Sequence, residues 1–112
     1  MKIINLGRGQ GKTIRLLYAS EWNDIPILCA GDMHKQRLID MAKELKLCIP
    51  EPITVSELLA NRLKERRIRR IEDALVDEAP MVLQTFWKSL GMGGEVKAIT
   101  LTENEDDYGK GL

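Results

Sequence analysis

The sequence is short of aromatic side chains, with two Trp, two Tyr and one Phe in 112 residues. None of the five falls within the one basic run of the chain, so that run offers no row of rings on which unpaired bases could stack. Net charge is also missing: 17 Lys and Arg balance 17 Asp and Glu, which leaves no global field to steer the molecule toward nucleic acid or a membrane surface. No apolar run is long enough to span a bilayer, and Met1-Lys2 leads directly into a strand-like stretch without the pattern of a signal peptide. The two cysteines, Cys29 and Cys48, lie in apolar, strand-like contexts without metal-ligand spacing, and the expectation is two buried, reduced thiols. The single histidine, His34, heads a helical segment with no Cys or second His nearby and is not read as a metal ligand. These absences together point to a cytoplasmic location. No internal repeat, low-complexity segment or linker divides the chain, and 112 residues suffice for one core but not two.

What the sequence does contain is a glycine-rich loop between a strand and a helix. Residues 2–6 read as a strand, residues 13–20 as a helix, and between them stands Gly7-Arg8-Gly9-Gln10-Gly11-Lys12-Thr13. This order is that of a phosphate-binding loop. Three glycines let backbone N–H groups turn inward around phosphate oxygens, and the following helix points its positive N-terminal end at the same spot. Lys12 is then expected to reach the β- and γ-phosphates, and the Thr13 hydroxyl to ligate Mg²⁺. Leu6 stands where the usual pattern has its first glycine. The competing reading is a glycine turn followed by an ordinary surface lysine.

Beyond the loop, apolar periodicity alternates between two types. The run 25–30 is continuously apolar, as a strand covered on both faces would be, with Pro26 at its start. Residues 33–45 repeat apolar positions at Leu38, Met41, Ala42 and Leu45, the spacing of an amphipathic helix. Ile53 and Thr54 form a brief strand, and Thr54 with Glu57 reads as a capping box that opens the next helix. Residues 71–76 read as a strand and Pro80 begins a helix that Gly91 ends. Residues 96–102 complete the series as a last strand. The expectation is a three-layer α/β sandwich around a mostly parallel, five-stranded sheet, with a core over residues 1–102 and an acidic, mobile tail at 103–112.

The strand at 71–76 ends in Asp77-Glu78. Ligands of parallel sheets gather at the carboxyl ends of strands, which would carry Asp77 to the phosphate loop despite the distance in sequence. There Asp77 would hold the Mg²⁺ shell and Glu78 would take the proton of an attacking water. Alternatively both acids simply favour the N-terminus of the helix opened by Pro80. The two motifs together, the loop ending Gly11-Lys12-Thr13 and Leu75-Val76-Asp77-Glu78-Ala79, resemble those of RecA-like P-loop ATPases, in the flavour of viral DNA-packaging terminases and helicases. The resemblance implies ATP as ligand, Mg²⁺ as cofactor, Glu78 beside Asp77 as the catalytic glutamate, and a γ-phosphate-sensing polar residue near Thr100, Thr102 or Asn104. It departs from the family in lacking an adenine-reading segment before the loop, a second domain, and a clear arginine finger.

Arg62, Lys64, Arg66, Arg67, Arg69 and Arg70 crowd the approach to the acidic strand. They read as a solvated helix end, as a contact surface for DNA or RNA phosphates, or as a finger for a neighbouring subunit's site. Trp22 and Trp87 read as packing residues, Trp87 half buried beside Phe86. The function expected is ATP binding with Mg²⁺-dependent hydrolysis in nucleic-acid metabolism. The rivals are a nucleotide-binding regulatory protein without turnover and a small-molecule kinase.

Overall fold

The computed structural model describes residues 11–64 and 73–100, the side chains of 61–64 excepted. Within them, helices and strands alternate: α1 (Lys12–Asn23), β1 (Ile27–Cys29), α2 (Asp32–Glu44), β2 (Ile53–Thr54), α3 (Val55–Lys64), β3 (Leu75–Val76) and α4 (Ala79–Ser89). The three strands are parallel and stand in the order β2-β1-β3. Leu28 pairs with Ile53 on one side and Val76 on the other. β1 is the central strand, and Ile27 and Cys29 are fully buried on it. Around them pack Leu17 from α1 and Leu38 and Ala42 from α2, with Leu16, Met41, Leu45, Leu47, Ile49 and Leu75 at the margin. The apolar positions of 33–45 thus face the core, as their spacing requires.

Local signals fix the ends of several elements. α1 turns into β1 through Asp24, in the left-handed region at φ 55, while the Ser20 hydroxyl donates to the Ile25 carbonyl at 2.6 Å. α2 ends in a Schellman motif: Leu47 N–H bonds the Ala42 carbonyl at 2.8 Å and Lys46 N–H that of Lys43 at 3.0 Å. Lys46 takes the left-handed position, φ 60, where glycine is more usual. The capping box at α3 is present with both reciprocal bonds, Thr54 N–H to Glu57 Oε1 at 3.0 Å and Glu57 N–H to Thr54 Oγ1 at 3.1 Å.

The sheet corrects the expectation of five strands and a three-layer sandwich, because three strands are formed among the described residues. Residues 96–100 form no strand. Instead the Gln84 side chain satisfies Val96 from both sides, accepting from its N–H at 3.0 Å and donating to its carbonyl at 2.9 Å. Residues 97–100 are exposed. Among the described residues they have no neighbouring strand to pair with, and β-forming residue types alone yield no strand. The expected strand at 2–6, residues 71–72 of the acidic strand and the tail at 103–112 lie outside the described residues. Cys48 is a second correction: it is exposed, not buried, because it lies in the connection after α2 rather than in a strand. Trp22, read as a packing residue, is in the last turn of α1 and 75% exposed.

Candidate functional site

Asp77 stands one residue beyond β3, and its backbone N–H still bonds the Leu28 carbonyl of β1 at 3.3 Å. The pairing of β1 with β3 therefore delivers Asp77 to the carboxyl ends of both strands. Lys12 and Thr13 reach the same place as the first two residues of α1. The Thr13 hydroxyl donates to the Asp77 carboxylate, 3.3 Å from Oδ1 and 3.4 Å from Oδ2. Beside it, Lys12 Nζ lies 3.6 Å from Glu78 Oε1. Lys12, Thr13, Asp77 and Glu78 are thus brought together from segments 64 residues apart.

The N-terminus of α1 has neither a side-chain cap nor an acid in its first turn. Gly11 precedes it at φ 78, a conformation that side chains rarely adopt, and supplies no side-chain cap. Within α1 itself no acidic side chain meets the first backbone N–H groups or the positive end of the helix dipole. Gly7, Arg8, Gly9 and Gln10 lie outside the described residues.

Asp77 is 3% exposed, and Glu78 is half-buried. Glu78 is the N-cap of α4 in the left-handed region, φ 59, and its side chain makes no capping bond. Besides standing at the start of the helix opened by Pro80, both acids contact the first turn of α1, Asp77 through Thr13 and Glu78 through Lys12.

His34 completes the group and was not anticipated. It lies in the first turn of α2, just past the carboxyl end of β1, and its Nε2 is 2.8 Å from Asp77 Oδ2. The strand-end rule that places Asp77 applies equally to the segment after β1, and that rule was the available signal. The adjacent Lys35 braces α2 to α3. Its Nζ bonds Glu51 at 2.7 Å and both Glu57 oxygens at 3.0 Å. Burial alone would lower the Lys35 pKa, but the bonds to Glu51 and Glu57 outweigh it and raise it. Burial likewise pushes Glu57 upward, yet the Thr54 backbone N–H and Lys35 hold it below its usual range.

The chemistry of the donors suits a small hard cation. Two oxygens on adjacent positions of an octahedral Mg²⁺ shell stand roughly 3 Å apart, and Thr13 Oγ1 is 3.3 Å from Asp77 Oδ1. Among the described residues no group of three His, Cys, Asp or Glu gathers as a metal cage. Two protein oxygens are what Mg²⁺ takes when phosphate and water fill the rest of its shell. Of the other expected residues, Thr100 is exposed on the strandless segment, Arg62 and Lys64 lie on α3, and Thr102, Asn104 and residues 65–70 are outside the described part. No helix among the described residues is long and apolar enough to cross a membrane. No family model, curated protein or solved structure matches the chain.

Proposed function

We propose that this chain is a P-loop nucleotide-binding protein of RecA-like type, with Mg²⁺-dependent ATP hydrolysis as its chemistry. One observation carries the reading: the Thr13 hydroxyl meets the Asp77 carboxylate at 3.3 Å across 64 residues, with the Lys12–Glu78 pair alongside. In this reading the N-terminus of α1 and Lys12 receive the β- and γ-phosphates. Lys12 exchanges its carboxylate partner for phosphate oxygens, which frees Glu78. Thr13 and Asp77 would hold the metal, which when bound would neutralise charge on the phosphate oxygens. Glu78 accepts the proton of the water that attacks the γ-phosphorus, the bond to the β-phosphate oxygen breaks, and ADP and phosphate leave.

Nucleic-acid metabolism in the cytoplasm, or in a host cytoplasm for a phage-encoded chain, is the setting we infer. The basic run from Arg62 to Arg70 is the contact for DNA or RNA phosphates. A second reading, nucleotide binding without turnover, has its own support. Among the described residues no arginine bonds Lys12, Thr13, Asp77 or Glu78, and a transition-state arginine is worth a factor on the order of 10³–10⁵ in rate. Rapid hydrolysis calls for an arginine at the site, from this chain's residues outside the described part, a neighbouring subunit or a partner.

Steady-state phosphate release with and without DNA tests the proposal. Turnover that Lys12→Ala and Glu78→Gln both abolish supports the ATPase. Tight ATP binding without phosphate release supports the regulatory reading, and phosphate transfer to a metabolite supports a kinase. A chain that neither binds nor hydrolyses ATP contradicts all three.

A further inference from the structure

We propose that His34 is a positioning residue for the Asp77 carboxylate, and through it for the Mg²⁺ shell; this rests on the nucleotide reading above. The His34 side chain is 11% exposed and makes a 2.8 Å bond to Asp77 Oδ2. An ionised carboxylate only accepts, so Nε2–H is the donor. In the neutral ring this leaves Nδ1 as a bare lone pair, and Nδ1 is buried with no hydrogen-bond partner. The ring is therefore held at one polar atom, and that atom is spent on Asp77.

The carboxylate needs such an anchor. Rotation about χ2 of Asp is broad and nearly two-fold, so burial alone does not select which oxygen faces which way. Thr13 does not select it either, because its hydroxyl stands at 3.3 and 3.4 Å from the two oxygens, long for an O–H···O bond and almost symmetric. His34 breaks that symmetry by taking Oδ2. Oδ1, which among the described residues has only the long Thr13 contact, is left with lone pairs to spare. A histidine that orients a metal-site carboxylate from outside the metal's own ligands is worth about 10–100-fold in metal affinity.

The test is a Mg²⁺ titration of binding of a fluorescent N-methylanthraniloyl ATP to the full chain, read beside nucleotide affinity in EDTA. Three variants are compared. His34→Leu keeps volume and loses the donor. His34→Gln places an amide N–H at the reach of Nε2, and His34→Asn places it one bond short. The expected result is that His34→Leu needs about tenfold more Mg²⁺ or greater, that His34→Gln recovers most of the loss, and that the EDTA affinity stays at the wild-type level. A folded His34→Leu protein with the wild-type Mg²⁺ requirement overturns the proposal. If His34→Leu does not fold, the other pair decides: a raised requirement in His34→Asn but not in His34→Gln supports the role, and equal requirements overturn it. A wild-type chain that binds no nucleotide at any Mg²⁺ concentration rejects the nucleotide reading itself, and His34's role with it. A wild type that binds, with variants that match it, rejects His34's role alone.

Discussion

Glu78 holds a backbone conformation, φ 59 and ψ 61, that costs a non-glycine residue about 1 kcal/mol or more. Lys46 and Asp24 carry the same strain, but theirs ends a helix, whereas that of Glu78 aims a carboxylate at Lys12. Glycine at 78 relieves the strain and removes what the proposed mechanism uses as its proton acceptor. Glu78→Gly is therefore expected to unfold at a slightly higher denaturant midpoint, by up to about 1 kcal/mol, while losing phosphate release. Glu78→Gln, which keeps the strain, loses turnover by on the order of 10²–10⁴ without the gain in stability. The cysteines give a second contrast. Burial pushes the Cys29 thiol up to about 11, so the native thiol stays protonated at neutral pH. Cys48 is exposed. A thiol reagent at pH 8 is expected to label Cys48 promptly and Cys29 only on unfolding. Because the folded pKa of Cys29 is raised, its contribution to stability is full below the ordinary thiol value and is lost as pH rises toward about 11.

Among the elements, α3 is the one whose start was written most plainly. Thr54 and Glu57 are three positions apart, and the capping box needs nothing beyond that four-residue segment to form. Such local signals are legible in a sequence. The strand expected at 96–102 is not formed over 96–100, because a strand requires a partner and a surface to cover, and Gln84 takes up the Val96 backbone instead. Thr54→Ala removes one half of the box and is expected to cost about 1 kcal/mol in thermal or denaturant unfolding. The pH dependence carries a sign. The folded pKa of Glu57 is lowered, so its contribution is present above the ordinary glutamate value and is lost as pH falls through the lowered one. Glu57→Gln should therefore flatten the acid limb of the stability curve relative to wild type. Glu57 is half exposed, so screening keeps this difference small.

At the scale of the molecule, one rule carried the site and stopped short of completing it. The carboxyl ends of neighbouring parallel strands converge, and on that ground Asp77 was expected beside Lys12 and Thr13, as it stands. His34 obeys the same rule from β1, but its surroundings in sequence read only as a helix start, and its partner lies 43 residues away. Nothing local marks such a pair. The sheet that does this work is narrower than composition and alternation suggested, three strands rather than five among the described residues. The central claim is that α1 and the tip of β3 share one nucleotide and its metal. Calorimetric ATP titration in Mg²⁺ and in EDTA, on wild type, Thr13→Ala, Asp77→Asn and the double variant, tests it most directly. The account predicts that Mg²⁺ tightens ATP binding in wild type, that each single variant loses the Mg²⁺-dependent part, and that the double variant loses no more than either. Absence of ATP binding by the wild type, or a Mg²⁺ effect that survives both substitutions, would contradict it.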